Sequence, residues 1–342
     1  MFCAAARQDA TVTKNRNRIF ALFLLLALAF CQASFAQEAP TPPGKDADDA
    51  TREKFYLEIE RHIANVFKLA GEEENPWAPK PRTPTEVELL RKQLELDGYS
   101  FTPAGFLDAV KAGNMAAMLR YLDAGMPVNT TNTSNQNALF FAIIGDQIPM
   151  AQALIGYGVR VNMANTLEET PLMIAVAKGN PHMVALLLDA RADPNTSNQN
   201  GWNSLHYAVY DNNIPMAALL IARGADIDHI NKLGYTPLMQ AAWKGFEEMA
   251  RFLIKMGASP VPRDNNGNNA LLVAVTYKQY DIAKFLLQNG ANPNDENYRG
   301  WKALDIALDQ QDMDMANLLY AYGATTPGTQ LPVEMPDATR IR

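Results

Sequence analysis

Apolar residues in the middle of the chain fall into short stripes at helical spacing, each closed by a polar residue or a glycine. Met249, Phe252, Leu253 and Ile254 lie at the i, i+3, i+4 spacing of one buried helix face. A shorter stripe, Leu238 and Ala241, precedes them, with Thr236-Pro237 in front and Gly245 behind. Thr236 is expected to cap a helix by accepting a free backbone N–H, and Pro237 suits the first helical turn. Gly245 lets the chain turn out of the helix. Gly257 closes the second stripe, and the polar turn PRDNNG (262–267) leads onward. The predicted unit is therefore helix, turn, helix, loop.

The unit recurs. ETPLMIAVAKG (169–179) and YTPLMQAAWKG (235–245) are nearly the same string, and half the interval between their starts is 33. Reading every 33rd position gives Gly125, Gly158, Arg191, Gly224, Gly257, Gly290 and Gly323, a run that chance does not produce with 20 glycines in 342 residues. A second phase gives the helix-capping types Asn137, Thr170, Asn203, Thr236 and Asn269, then Lys302. A third gives Gly113, Asp146, Gly179, Asn212, Gly245, Lys278 and Gln311. Its first five are types that tolerate a left-handed backbone. Leu186, Leu219, Leu253 and Leu286 follow one another at one repeat length or one position more, and are expected in the buried stripes of successive second helices. A unit this small cannot bury its own apolar faces, so neighbours must stack.

These strings resemble the ankyrin repeat: TPLM at 170–173 and 236–239, NSLH at 203–206, and GADI, GASP and GANP starting at 224, 257 and 290. The resemblance covers roughly residues 101–325 and implies an all-α, ankyrin-repeat solenoid of about seven helix-turn-helix-loop units. It also implies protein binding, though a shared fold does not carry a shared function. The family's usual His after Pro-Leu survives only as His206; Phe140, Met173, Met239, Leu272 and Asp305 stand in the other copies. Arg191 replaces a turn glycine, at an expected local cost. Thr102-Pro103 falls two residues early, so the first repeat's first helix is expected to start sooner.

The chain ends read differently. Lys14, Arg16 and Arg18 precede the apolar run 19–30, and Ser34 and Ala36 supply small residues for cleavage. This order predicts a signal peptide over 1–36, with an uncleaved anchor as the alternative. Cys31 does not make a lipoprotein site, because Phe30 before it is too bulky. A flexible linker is expected over 37–51 and a helical N-terminal cap region over 52–100. One helix there carries Phe55, Ile59, Ile63, Val66 and Phe67 on one face, to cap the first repeat or to dock a partner. Residues 75–84 are proline-stiffened, as a spacer or a polyproline ligand. Thr85 and Glu88 are expected to form a capping box for a second helix ending near Leu96. The tail 326–342 is expected to be disordered.

Charge narrows the function classes. The whole chain has a net charge of −7. Removing residues 1–36 takes away four Lys/Arg and one Asp, so 26 positive and 36 negative residues remain, a net of −10. That balance weighs against nucleic acid and anionic membrane surfaces. Both cysteines, Cys3 and Cys31, would leave with the signal, so no disulfide is expected. His62, His182, His206 and His229 lack metal-ligand spacing, and no P-loop, GxGxxG or GxSxG motif occurs. Asp226, Asp228 and His229 near a loop tip are either a cation site or solvated loop residues. Asn129-Thr130-Thr131 and Asn132-Thr133-Ser134 fit a glycosylation rule, but in a bacterial export setting they signal turns.

The sequence therefore reads as an exported scaffold of bacterial type, periplasmic or secreted. It is read as a monomer that binds protein through the concave face of the array, with no cofactor, metal or catalytic residue. The alternatives are an accessory protein or inhibitor of one periplasmic enzyme, or a secreted effector acting on host proteins. In ankyrin scaffolds the residue after the loop glycine and those ending the first helix face the groove. Here these are Trp202, Tyr235 and Trp301, then Tyr210, Trp243, Lys244 and Tyr277. Aromatic side chains there give large contact area, although Trp202 and Trp301 also suit packing between loops. The exported chain is expected to begin at Gln37. Its intact mass checks this; a membrane-bound species retaining residues 1–36 would refute it.

Overall fold

Among the described residues the helices are short, and the first helix of most repeats starts at a side chain that the repeat phases already mark. The computed structural model describes residues 82–325. These hold α1 (Pro84–Leu96), α2 (Pro103–Lys111), α3 (Met115–Asp123), α4 (Ala138–Ile144), α5 (Ile148–Gly156), α6 (Pro171–Ala177), α7 (Pro181–Asp189) and α8 (Ser204–Tyr210). They continue with α9 (Ile214–Ala222), α10 (Pro237–Lys244), α11 (Glu247–Lys255), α12 (Ala270–Thr276), α13 (Tyr280–Gln288), α14 (Ala303–Asp309) and α15 (Met313–Ala321). The only β pairing among the described residues is two isolated bridges, Thr131 with Asn137 and Glu296 with Lys302. The expected signal, linker, helix over 55–67 and tail lie outside the described residues, as does the proline-rich spacer up to residue 81.

Side-chain oxygens of Asn137, Thr170, Asn203, Thr236 and Asn269 each accept a backbone N–H at the start of α4, α6, α8, α10 and α12. Lys302 has no acceptor; instead the Asp305 carboxylate takes the Lys302 N–H at 2.9 Å and closes the start of α14 from inside the helix. All seven positions of the first glycine phase have positive φ, Arg191 at 64° included, and so do all seven of the third, Lys278 (57°) and Gln311 (56°) included. The strain expected at Arg191 is thus present in its backbone. α2 does begin two residues early, because Thr102 caps it through the Gly105 N–H at 3.1 Å.

Two expectations need correction. The capping box of α1 is Thr83 with Glu86, not Thr85 with Glu88: Pro84 takes the first helical position, so the cap lies just before it. The buried leucine row is Leu187, Leu220, Leu253 and Leu286, each no more than 1% exposed. Leu186 is only half-buried, and Leu219, though buried, belongs to the neighbouring row with Phe252. A constant repeat interval selects the first row; the uneven intervals of the expected set combine two.

The chain divides into two compact units, one holding the described residues to Gln199 with Pro215–Ala225, the other Asn200–Ile214 with Asp226 onward. In the first unit α2, α4 and α6 pack in sequence, α5 meets α7, and α1 lies against α3. Leu94 is the fully buried anchor of α1, and Arg91 donates to the Ala124 carbonyl. In the second unit α8, α10, α12 and α14 form one row, and α11 packs on α13.

Polar side chains join the loops. Asn132, Asn165, Asn231, Asp264 and Asn297, one per repeat, each accept two backbone N–H groups two and four residues on, which folds the loop tip. A second phase reaches between repeats. Asn162 accepts the Asp193 N–H (2.8 Å) and donates to the Arg191 carbonyl (3.2 Å). Asn294 does the same with Thr325 (2.8 Å) and Gly323 (2.9 Å). In the same phase Asn129 accepts the Arg160 N–H, Asn195 donates to the Gly224 carbonyl and Asp228 accepts the Ser259 N–H. Val261 occupies this phase in the fifth copy and cannot bond; its side chain is exposed. At Gly234 the neighbouring loop comes so near that a Cβ would lie 2.6 Å from the Asn265 nitrogen, and φ is +82°.

Truncating Leu253 or Leu286 to alanine should cost about 2–5 kcal/mol, since each leaves a cavity between stacked repeats. Lys92→Ala, on the exposed side of α1, should cost little. Chemical denaturation compares them, and equal small effects would show that the leucine row is misassigned.

Candidate functional site

Six of the seven residues expected to face a partner come together on the second unit. Trp202 and Tyr235 share the phase that follows the loop glycines. Tyr210 and Trp243 share the phase that ends the first helix, and Lys244 and Tyr277 share the next. The packing of α8 on α10 and of α10 on α12 sets these positions side by side.

The rings form a chain of edge and tilted contacts. Trp202 lies 5.4 Å from Tyr210 between centroids and 5.6 Å from Tyr207. The Lys244 ammonium sits 3.7 Å from the Tyr210 ring centre and 4.9 Å from that of Trp243. Trp243 meets Tyr235 at 6.5 Å and Tyr277 at 6.4 Å, both near edge-on. Such edge-to-face pairs add roughly 0.5–1.5 kcal/mol beyond area burial and hold the rings in place. Burial foremost, then the neighbouring Tyr277 and Asp264, raises the Tyr235 hydroxyl above the usual tyrosine range, so it stays protonated. Tyr210 is 42% exposed and Tyr277 43%, so the surface is fixed from below and open above.

Trp301 stays apart. Its phase holds Asn268 between Tyr235 and itself, and the helix-end phase holds Thr276 and then Asp309, so no ring bridges the gap. Trp301 is exposed and has no ring partner among the described residues. Tyr207 was not anticipated. Its signal was available, since it stands three residues before Tyr210 and so shares its helix face.

His206 supports the cluster from beneath. The ring is fully buried, tilted against Trp202 at 6.0 Å, and edge-on to His229 at 5.7 Å. Nδ1 lies 2.8 Å from the Asn203 amide oxygen and Nε2 lies 3.1 Å from the Tyr235 carbonyl, so this side chain ties the start of α8 to the loop that carries Tyr235. Two oxygen partners favour an imidazolium, but burial is the larger effect, aided by His229, and pushes the pKa down to about 4. The ring is neutral at pH 7, with one N–H for two acceptors. The side chain thus has a structural role, holding the start of α8. Asp226, Asp228 and His229 are tied into loops: Asp228 accepts the Ser259 N–H, Asp226 accepts the Asp228 N–H, and His229 Nε2 meets the Gly201 carbonyl. No helix among the described residues is long and apolar enough to cross a membrane.

A family model described as "Ankyrin repeats (3 copies)" matches residues 106–198, 190–264 and 259–328, most of the chain. The chain belongs to the ankyrin repeat family. Among solved structures it is similar to the ankyrin repeat domain of Bcl-3, described as a unique member of the IkappaB family. Identity is 25% and the TM-score 0.59, over 64% of this chain and 98% of that one. No curated protein sequence matches the chain.

Since the unfolded chain takes up a proton at His206 near pH 6.5 and the folded chain only near pH 4, the stability tied to its neutral ring is whole above pH 6.5 and lost between 6.5 and 4. Replacing His206 with Gln should flatten the fall in urea midpoint over that window by the equivalent of about 3 kcal/mol. Parallel titration of the two proteins checks this; equal slopes would mean that the folded ring is charged.

Proposed function

We propose that the protein is an exported scaffold that binds a protein partner through the aromatic surface of Trp202, Tyr210, Tyr235, Trp243, Lys244 and Tyr277. Ankyrin repeats generally mediate protein–protein interaction. The single observation that carries the assignment of this surface is the contiguity of its rings, Trp202 to Tyr277, on helix ends and loop tips. Rigid aromatic residues offer large contact area for little lost side-chain entropy and dominate binding hot spots. Export rests on the order of charged, apolar and small residues over 14–36. The working form is a soluble monomer of the periplasm or the secreted fraction, a binder rather than an enzyme.

A Trp243→Ala, Tyr277→Ala double variant is expected to keep its helical circular dichroism and to lose partners that the wild type crosslinks in its native compartment. Replacing Trp301 by Ala should leave that set unchanged. A correctly folded double variant that still crosslinks the full set would refute the surface.

A further inference from the structure

Lys244 is the odd member of the aromatic surface. It ends α10, and among the described residues its ammonium has no hydrogen bond and no ion pair. It rests over Tyr210 and beside Trp243, at 3.7 and 4.9 Å from the ring centres. A flexible, strongly hydrated cation gains little by lying near rings unless their faces form a favourable seat. These two rings occupy the same phase of successive repeats, so the spacing of α8 and α10 fixes the gap between them. Next to Tyr210 stands Asp211, exposed and without an ion-pair partner among the described residues. The site thus offers two ring faces, and the residue next in sequence to one of them is an exposed carboxylate, the complement of a positive charge. The net charge of −7 gives the whole chain the same preference.

We propose that Tyr210 and Trp243 form a cation seat for a lysine or arginine side chain of a basic segment in the protein partner. In the free protein Lys244 fills that seat, and it swings out when the partner's cation enters. This deepens the reading of the aromatic surface as a protein-binding site and rests on it. The internal lysine keeps the rings from attracting stray cations or apolar surface, because an intramolecular occupant competes at high effective concentration. A partner must therefore bring contacts to the neighbouring rings as well as a charge, which sets a threshold for binding.

Choline and its neutral isostere 3,3-dimethylbutan-1-ol probe the seat without any partner. Binding is read from the Trp243 indole N–H signal by NMR, assigned with a Trp243→Phe variant. Lys244→Ala, and Lys244→Gln as a second way to empty the seat, should bind choline about tenfold more tightly than the wild type. Adding Tyr210→Leu, at a partly exposed position, should abolish the gain. The neutral isostere should show no such gain. The proposal is overturned if emptying the seat leaves choline affinity unchanged, or if the isostere binds as well as choline. Either result leaves the loss of partner in the Trp243/Tyr277 variant to stand or fall by itself. Conversely, retained partner capture by the Trp243/Tyr277 variant, beside a choline gain in the Lys244 variants, would remove the protein-binding reading and keep the seat.

Discussion

A helix of seven residues cannot hold itself together in water. Nucleation fixes several residues before the first hydrogen bond forms, and a two-turn segment never recovers that cost unaided. α4, α6, α8, α12 and α14 are all seven residues long. They persist because one face of each packs on the next helix of its row and because a side chain closes the open end. Everything on the surface inherits its position from this arrangement. Tyr210 and Trp243 stand at a fixed spacing because the helices that carry them cannot exist apart from their neighbours.

Much of the fold was legible in the sequence because the signals were local and repeated. An N-cap acts on an N–H two or three residues away, and a left-handed position acts on its own backbone, so each phase could be read by residue type. The missed phases act at a distance. Asn162 looks like any turn asparagine; that its amide holds the backbone of Asp193 and Arg191 becomes visible only once the repeats are stacked. The leucine row slipped by one residue because adjacent leucines at 186–187 and 219–220 fit the stripe equally well from composition. Thr85 and Glu88 have the right spacing for a capping box, but so do Thr83 and Glu86, and the proline between the two threonines decides the matter.

The aromatic surface shows the same division. Its members could be found by phase, since Trp202, Tyr235, Tyr210, Trp243 and Tyr277 stand at positions that the ankyrin resemblance implies face the groove. Which of them touch could not be. Asn268 and Thr276 break the ring chain before Trp301, a consequence of two small polar residues in otherwise matching phases. Nor could the sequence show that Lys244 folds back over rings from its own and the preceding repeat. His206 gives the surface a rigid floor: by linking Asn203 to the Tyr235 carbonyl, it couples a helix start to the loop that presents the next ring.

The asparagine bonds between repeats carry a further consequence. Asn162 and Asn294 each reach a nitrogen 31 residues on and a carbonyl 29 residues on, from one amide group. Adding or deleting a single residue inside a helix of that interval would turn the rest of that helix by about 100° about its axis and shift the targets that follow it. Within its helices the array therefore tolerates changes of length best in whole modules. Duplicating or excising one full repeat restores every bond, whereas a block one residue shorter restores none. Point substitution can vary what the surface displays, as Val261 and Arg191 illustrate, but growth and loss of the array are quantised.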